Sequence, residues 1–305
     1  MDATTPPVAL SGALNTPLDQ PQLKHVMCLD SKGLHRMAYW EWGDPANDHV
    51  VICVHGLSRQ GRDFDTLARA LCGQYRVVCP DVVGRGQSDW LQDPMGYQVP
   101  AYVADMVTLI ARLQPRTLDW IGTSMGGLIG MGLCALRGAP VRKLVLNDVG
   151  PRIEPASLTR IGSYLGRPVH FNTVEEAADA LWQISSSFGP HTREQWLALT
   201  APQLKPAPQG GFILHYDPAI AVPVKAATPE MAAVGEAFLW RAYGAIQCDT
   251  LLLRGTESDL LSAQTAQTMT EVGPKARLVE FAGVGHAPTL VQPDQVRTVM
   301  DFLDA

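Results

Sequence analysis

With 305 residues, the chain is long enough for one large α/β domain or for a core domain that carries a sizeable insertion. Apolar residues make up 46% of the sequence and charged residues 18%, which is a globular composition. The formal net charge of -6 disfavours nucleic acid and anionic membrane surfaces as partners.

The N-terminal stretch and the cysteines indicate the class of protein. Residues 1–24 are rich in Pro, Thr and Ala and lack the basic region and apolar core of a signal peptide, so we expect an N-terminal arm. No apolar run reaches the length of a membrane-spanning helix, so no membrane span is expected. The six cysteines are scattered without a close pair or a metal-ligand spacing. We therefore expect a cytoplasmic protein with no metal.

Strands and helices alternate through residues 25–150. Two extended runs on either side of Ser31-Lys32-Gly33 predict an antiparallel hairpin, and the continuous apolar run 50–54 predicts a strand covered on both faces. Such alternation predicts a mostly parallel sheet whose active-site groups gather beyond the carboxyl ends of the strands. The further elements predicted here are helices over 64–71, 102–113 and 128–136 and strands over 75–79, 117–121 and 141–147.

The alternation stops at Pro151 and resumes near residue 241. Prolines, aromatic residues and two helix-like runs, 174–184 and 193–199, fill the stretch between. We predict a mainly helical insertion, or cap domain, over 151–240, and a core domain over 25–150 and 241–305. The last predicted elements are strands over 250–254 and 277–281 and helices over 263–271 and 293–303.

The candidate nucleophile is Ser124. It lies in Gly122-Thr123-Ser124-Met125-Gly126, between a predicted strand and a predicted helix. Because Gly122 and Gly126 have no side chain, the strand and the helix can approach closely around a sharp turn. The serine hydroxyl then projects into open space. The start of the helix also directs free backbone N–H groups toward a developing negative charge.

A serine hydroxyl is a weak nucleophile at neutral pH and requires an adjacent base, which a third group orients. His286 is the candidate base because it lies in a glycine-rich loop, 283–288, directly after the last predicted strand. Asp259 is the favoured acid, since it follows the penultimate strand and gives the chain order nucleophile, acid, base. Asp148, at the end of another strand, is the alternative acid, although we expect it to order the hinge into the insertion. Glu257 is a weaker candidate.

Two backbone amides are candidates for an oxyanion hole, the set of donors that stabilises the tetrahedral intermediate. Met125 follows the nucleophile, and Leu57 follows His55-Gly56 at the end of a buried strand. We expect His55 to support this loop rather than to act as a base. Ser58 and Arg59 are either pocket-lining or solvated loop residues.

Taken together, these motifs resemble those of the α/β-hydrolase fold superfamily over about residues 25–150 and 241–305. The resemblance implies an eight-stranded, mostly parallel sheet, a cap inserted after the sixth strand, no cofactor, and hydrolysis through an acyl-enzyme. Relatives that open epoxides or remove halides carry aspartate in place of Ser124, which disfavours those reactions. The motifs that carry the resemblance are His55-Gly56, the loop 81–88, the loop 122–127, the Asp259 loop and Gly285-His286.

The expected reaction is cleavage of a small to medium, largely apolar carboxylic ester, lactone or thioester by Ser124, Asp259 and His286, with water as the second substrate. Aromatic residues and prolines of the insertion suggest apolar pocket walls but suit an ordinary cap core equally well. One alternative is a carbon–carbon bond hydrolase of the meta-cleavage-product type, which the same fold and a similar triad support. Another is a ligand receptor or scaffold that retains the triad with little turnover. The sequence specifies no oligomeric state.

Overall fold

A computed structural model describes residues 17–305 of the chain. The arm predicted over 1–24 lies mostly outside the described residues, and its last residues belong to the first strand. The strands are β1 (Gln22–Asp30), β2 (Gly33–Trp42), β3 (His49–Val54), β4 (Arg76–Pro80), β5 (Thr117–Thr123), β6 (Val141–Asn147), β7 (Leu204–Pro206), β8 (Phe212–Leu214), β9 (Asp249–Gly255) and β10 (Arg277–Phe281). The helices are α1 (Asp65–Leu71), α2 (Val99–Leu113), α3 (Met125–Cys134), α4 (Pro155–Tyr164), α5 (Val174–Ser185), α6 (Arg193–Thr200), α7 (Ala221–Ala226), α8 (Pro229–Ala245), α9 (Ala263–Glu271) and α10 (Pro293–Asp304).

Eight of the strands form one sheet in the order β1-β2-β4-β3-β5-β6-β9-β10. The strands from β4 to β10 in this order run parallel, and the hairpin β1–β2 joins β4 in the antiparallel sense. The predicted fold class, a mostly parallel sheet flanked by helices, is confirmed.

The apolar run that predicts β3 separates two cores. Val50, Ile52 and Val54 pack into the cluster on one face of the sheet, while Val51 and Cys53 pack into the cluster on the other. Successive side chains of a strand point to opposite faces, so a strand covered on both sides must be apolar throughout. Because β3 is central, the loop that follows it emerges in the middle of the carboxyl edge of the sheet, beside the loops that follow β4 and β5.

The segment between β6 and β9 is mainly helical and carries α4 to α8. It also contains the antiparallel ribbon β7–β8, which the sequence analysis missed because each strand has only three residues. Helix α8 packs against α3 of the sheet layer and runs through residue 240, where the cap boundary was predicted. None of the helices described over residues 17–305 is both long and apolar enough to cross a membrane.

Candidate active site

Ser124 lies in a sharp turn between β5 and α3. Its backbone has φ 51° and ψ -115°, a strained conformation for a residue with a side chain. The Ser124 N–H donates to Asn147 O on the neighbouring strand at 2.9 Å, which holds the turn. A Cβ atom on Gly126 would lie 2.0 Å from Val54 O, and one on Gly122 would lie 2.3 Å from the Gly126 backbone. Both glycines are therefore required for the close approach of strand and helix.

The structure brings Ser124, His286 and Asp148 into one chain of contacts. Ser124 Oγ lies 3.0 Å from His286 Nε2, and His286 Nδ1 lies 2.7 Å from Asp148 Oδ2. An ionised carboxylate only accepts hydrogen bonds, so Nδ1 carries the proton, and Nε2 of the neutral ring can accept from the serine hydroxyl. This arrangement can deprotonate the serine as it attacks an electrophile and can stabilise the imidazolium that results.

Asp259, the favoured acid in the sequence analysis, does not contact His286, and that prediction is wrong. Its carboxylate is exposed and forms a two-pronged ion pair with Arg160 of α4, at 2.7 and 2.9 Å. The preceding residue, Ser258, points the other way and donates to Asp148 Oδ2 at 2.6 Å. Asp148 reaches the ring because β6 lies next to β9 and because its φ of 55° turns the chain sharply after the strand. Glu257, the weaker candidate, is exposed.

Asp148 is fully buried and accepts three hydrogen bonds from the protein. In addition to His286 and Ser258, the Gly255 N–H donates to Asp148 Oδ1 at 3.0 Å. These donors offset the loss of hydration of a buried carboxylate. The contribution of Ser258 was missed because a serine in a loop has no distinguishing pattern in the sequence.

The loop after β3 runs directly past the serine. A Cβ atom on Gly56 would lie 3.7 Å from Ser124 Cβ. Neither the Leu57 nor the Met125 backbone N–H donates to another backbone group among the described residues, so both can serve a substrate oxygen. His55 is fully buried behind this loop; its Nδ1–H donates to Gly56 O at 2.7 Å, and its Nε2 accepts from Val82 N–H at 3.0 Å. Burial lowers the pKa of His55 to about 3, so the ring is neutral and supports the loop.

The insertion touches both sides of this site. On one side, Arg59 pairs with Asp63 at 2.6 and 2.7 Å and donates to Leu199 O of α6 at 3.4 Å. On the other side, the Gly285 N–H, next to the candidate base, donates to Ser187 O at 2.5 Å. The loops on both sides of Ser124 are thus attached to the segment between β6 and β9.

A group of residues of the types that bind metal ions lies away from this site. Among the described residues, Cys28, His35 and Asp105 place their potential ligand atoms within 4.8 Å of one another, in the contact between the hairpin β1–β2 and α2. His35 Nε2 lies 3.0 Å from Asp105 Oδ2, and this hydrogen bond raises the pKa of His35 against the opposing effect of burial. The observed contact is a buried hydrogen bond that joins the hairpin to the helix.

Comparison with known proteins identifies relatives over nearly the whole chain. The model of the alpha/beta hydrolase family matches residues 51–299. The chain is 57% identical to a 3-hydroxybutyrate-oligomer hydrolase from Cupriavidus necator, over 92% of this chain and 97% of the relative. It is 28% identical to an esterase from Escherichia coli, over 85% of this chain and 94% of the relative.

A solved structure shows the same fold. A crystal structure of an alpha/beta hydrolase from Novosphingobium aromaticivorans is 37% identical to this chain and matches it with a TM-score of 0.81, over 93% of this chain and 98% of the other. This structural similarity agrees with the matched family model and with the ester-cleaving relatives. The chain belongs to the alpha/beta hydrolase family, and it is an enzyme that hydrolyses carboxylic esters.

Proposed function

We propose that this protein cleaves the ester bonds of short 3-hydroxybutyrate oligomers through an acyl-enzyme on Ser124. The choice of substrate is supported by the 57% identity to the oligomer hydrolase, which extends over 97% of that relative. The observation that carries the mechanism is the chain of contacts Ser124–His286–Asp148 at 3.0 and 2.7 Å.

In the proposed mechanism, Ser124 Oγ attacks the ester carbonyl while His286 Nε2 takes the hydroxyl proton. Asp148 holds the ring and stabilises its positive charge. The Leu57 and Met125 amides donate to the oxygen of the tetrahedral intermediate. The ester C–O bond then breaks, and His286 returns the proton to the departing alcohol oxygen, which leaves 3-hydroxybutyryl-Ser124. Water then attacks this acyl group while His286 takes its proton. The bond between the acyl carbon and Ser124 Oγ breaks, His286 returns the proton to Ser124 Oγ, and the acid is released.

We also propose that residues 151–240 act as a cap over this site. The contacts of Leu199 and Ser187 with the loops on either side of Ser124 support this role, because movement of the cap would displace both loops. A cytoplasmic location is proposed as well, and the six free thiols support it. Neither proposal requires a metal or an organic cofactor.

The test of the proposed function is turnover of the 3-hydroxybutyrate dimer by the purified protein, followed by chromatography of the monomer. We expect the native protein to release monomer and Ser124→Ala to release none. An exposed serine in the same chain, Ser163, provides a matched control, and Ser163→Ala should retain native turnover.

Two results would contradict the proposal. If a vinylogous diketone is cleaved far faster than the dimer, the enzyme is a carbon–carbon bond hydrolase. If neither is cleaved and a fluorophosphonate probe does not label Ser124, the protein is a binding module. The ester-cleaving relatives support neither a carbon–carbon bond hydrolase nor a binding module.

A further inference from the structure

Arg85 has a fully buried side chain, with 0% of its surface exposed. It lies in the loop after β4, within Gly84-Arg85-Gly86. Burial of a cation is costly unless other groups replace the lost water, and buried arginines are normally paired with carboxylates. Among the described residues, however, all hydrogen-bond partners of this guanidinium are uncharged.

Two of the hydrogen bonds of this guanidinium reach residues of the candidate oxyanion hole. Arg85 Nε donates to Leu57 O at 2.8 Å, and Arg85 Nη2 lies 3.5 Å from Met125 Sδ. Nη1 donates to Val83 O at 2.7 Å and to Tyr102 Oη at 3.0 Å. One buried side chain thus contacts both residues whose backbone amides are the candidate oxyanion donors.

The position of Arg85 has two physical consequences: it restrains the residues it contacts, and it places a positive charge beside them. The Leu57 carbonyl belongs to the Leu57–Ser58 peptide, so the bond from Arg85 Nε holds one side of Leu57 and restricts the movement of the residue that carries the candidate N–H. The buried guanidinium also places a positive charge in contact with Leu57 and Met125, away from water, where charge interactions are strong. A negative charge that develops on a substrate oxygen is stabilised by both effects without any reorganisation of the protein.

The loop that carries Arg85 is held by the insertion. The Gly86 N–H donates to His215 O at 2.9 Å, and the Asp217 N–H donates to Gly84 O at 2.7 Å. These two bonds flank Arg85 and attach it to the segment that follows β8. The insertion is therefore linked to the loop after β3 through Arg85 as well as through Arg59.

We propose that Arg85 is a positioning residue for the transition state: its guanidinium holds Leu57, packs against the Met125 side chain, and supplies a positive charge that the tetrahedral oxyanion balances. The inference rests on the proposed function, since it requires an acyl-transfer oxyanion at Ser124. It concerns kcat rather than KM, because the charge it stabilises exists only in the transition state.

The test compares Arg85→Met, which keeps the length and apolar character of the stem, with Arg85→Lys, which keeps the charge but not the planar fork. Removal of one direct oxyanion donor typically lowers kcat by about 100- to 1,000-fold, so loss of a group that orients the donors should lower kcat by about 10- to 100-fold. KM for a short acyl nitrophenyl ester should stay within about threefold of the native value. The Arg85→Lys variant should fall between Arg85→Met and the native enzyme.

A second readout separates this role from loss of structure. A boronic acid forms a tetrahedral adduct with the nucleophile, so its affinity should fall by the same factor as kcat/KM in each variant. Lys143 provides a matched control, because it is also buried, donates to the Phe302 carbonyl at 2.7 Å and lies near the opposite end of β6 from Asp148. Lys143→Met should leave kcat/KM and boronate affinity unchanged at temperatures where it is folded.

The proposal is overturned if folded Arg85→Met retains native kcat/KM and boronate affinity. It is also overturned if KM rises with kcat unchanged, or if Lys143→Met loses as much activity as Arg85→Met. If Arg85→Met does not fold, Arg85→Lys decides: reduced kcat and boronate affinity at native KM support the proposal, and native values overturn it. Failure of the proposed function itself is distinguishable, because the native protein would then neither cleave esters nor react with a fluorophosphonate at Ser124.

Discussion

At the scale of single residues, the conformation of Asp148 decides which carboxylate meets His286. Asp148 and Asp259 both follow strands whose carboxyl ends lie at the same edge of the sheet, so strand order alone does not separate them. Asp148 has a φ of 55°, a left-handed conformation that aspartate tolerates better than most residues. This turn directs its carboxylate to the ring, while Asp259 points to Arg160 and solvent.

Substitution of the two carboxylates should therefore affect kcat to very different extents. We expect Asp148→Asn to lower kcat by on the order of 10⁴, because an amide that replaces the carboxylate favours the wrong imidazole tautomer and removes the charge that stabilises imidazolium. Asp259→Asn should change kcat by less than about threefold, since an exposed ion pair contributes little. Steady-state kinetics on a short acyl nitrophenyl ester would measure both. A severe loss in Asp259→Asn with a mild loss in Asp148→Asn would reverse the assignment.

At the scale of elements, the turn between β5 and α3 is set by steric fit. Gly126 permits the first turn of α3 to lie against the end of β3, and an added methyl group would overlap Val54 O, a backbone atom that cannot move alone. Gly235 lies in the middle of α8, and outside its own turn of helix no atom of the described residues lies within 4 Å of the position of an added Cβ. The same substitution therefore has opposite expected effects in the two helices.

We expect Gly126→Ala to lower the free energy of unfolding by about 3 kcal/mol or more, since overpacking against fixed backbone is severe. Gly235→Ala should raise it by about 0.5–1 kcal/mol, because alanine has the higher helix propensity. Urea unfolding, followed by circular dichroism, measures both changes. A stable, active Gly126→Ala would contradict the close packing described for this turn.

The hairpin β1–β2 is joined to α2 by an ion pair whose strength depends on pH. His35 lies opposite Cys28 in the hairpin and contacts Asp105 of α2, with Asp30 and Asp89 nearby. The hydrogen bond to Asp105 raises the pKa of His35 above its ordinary value. A raised histidine pKa means that the stabilisation is fully present below the unfolded pKa of about 6.5 and is lost as pH rises through the folded pKa.

His35→Gln should therefore lower the melting temperature by about 2–5 °C more at pH 6 than at pH 9, given that hydrogen bonds between charged groups contribute about 1.5–3 kcal/mol. Differential scanning calorimetry at the two pH values gives the comparison. His25→Gln, at an exposed position of the neighbouring strand β1, is the control and should show no such difference. An equal loss at both pH values would mean that His35 stabilises the contact by packing alone.

At the scale of the whole molecule, the sequence was sufficient to predict the sheet but not all of the site. Apolar runs and helical periodicity predicted the eight strands of the sheet and most helices, because burial on both faces leaves a direct pattern of residue types. The ribbon β7–β8, the direction of the Asp148 side chain and the burial of Arg85 depend on tertiary contacts, which leave no such pattern. The pairing of Asp259 with Arg160 likewise joins residues 99 positions apart.

The proposed mechanism requires that the acyl group of the ester is transferred to Ser124 Oγ. The most direct measurement is rapid acid quench of the native enzyme during turnover of the 3-hydroxybutyrate dimer, followed by peptide mapping with mass spectrometry. We predict a 3-hydroxybutyryl group on Ser124, more of it when the attack of water on the acyl group is rate-limiting, and none in Ser124→Ala. An acyl group on another residue, or undiminished turnover by Ser124→Ala, would contradict the mechanism.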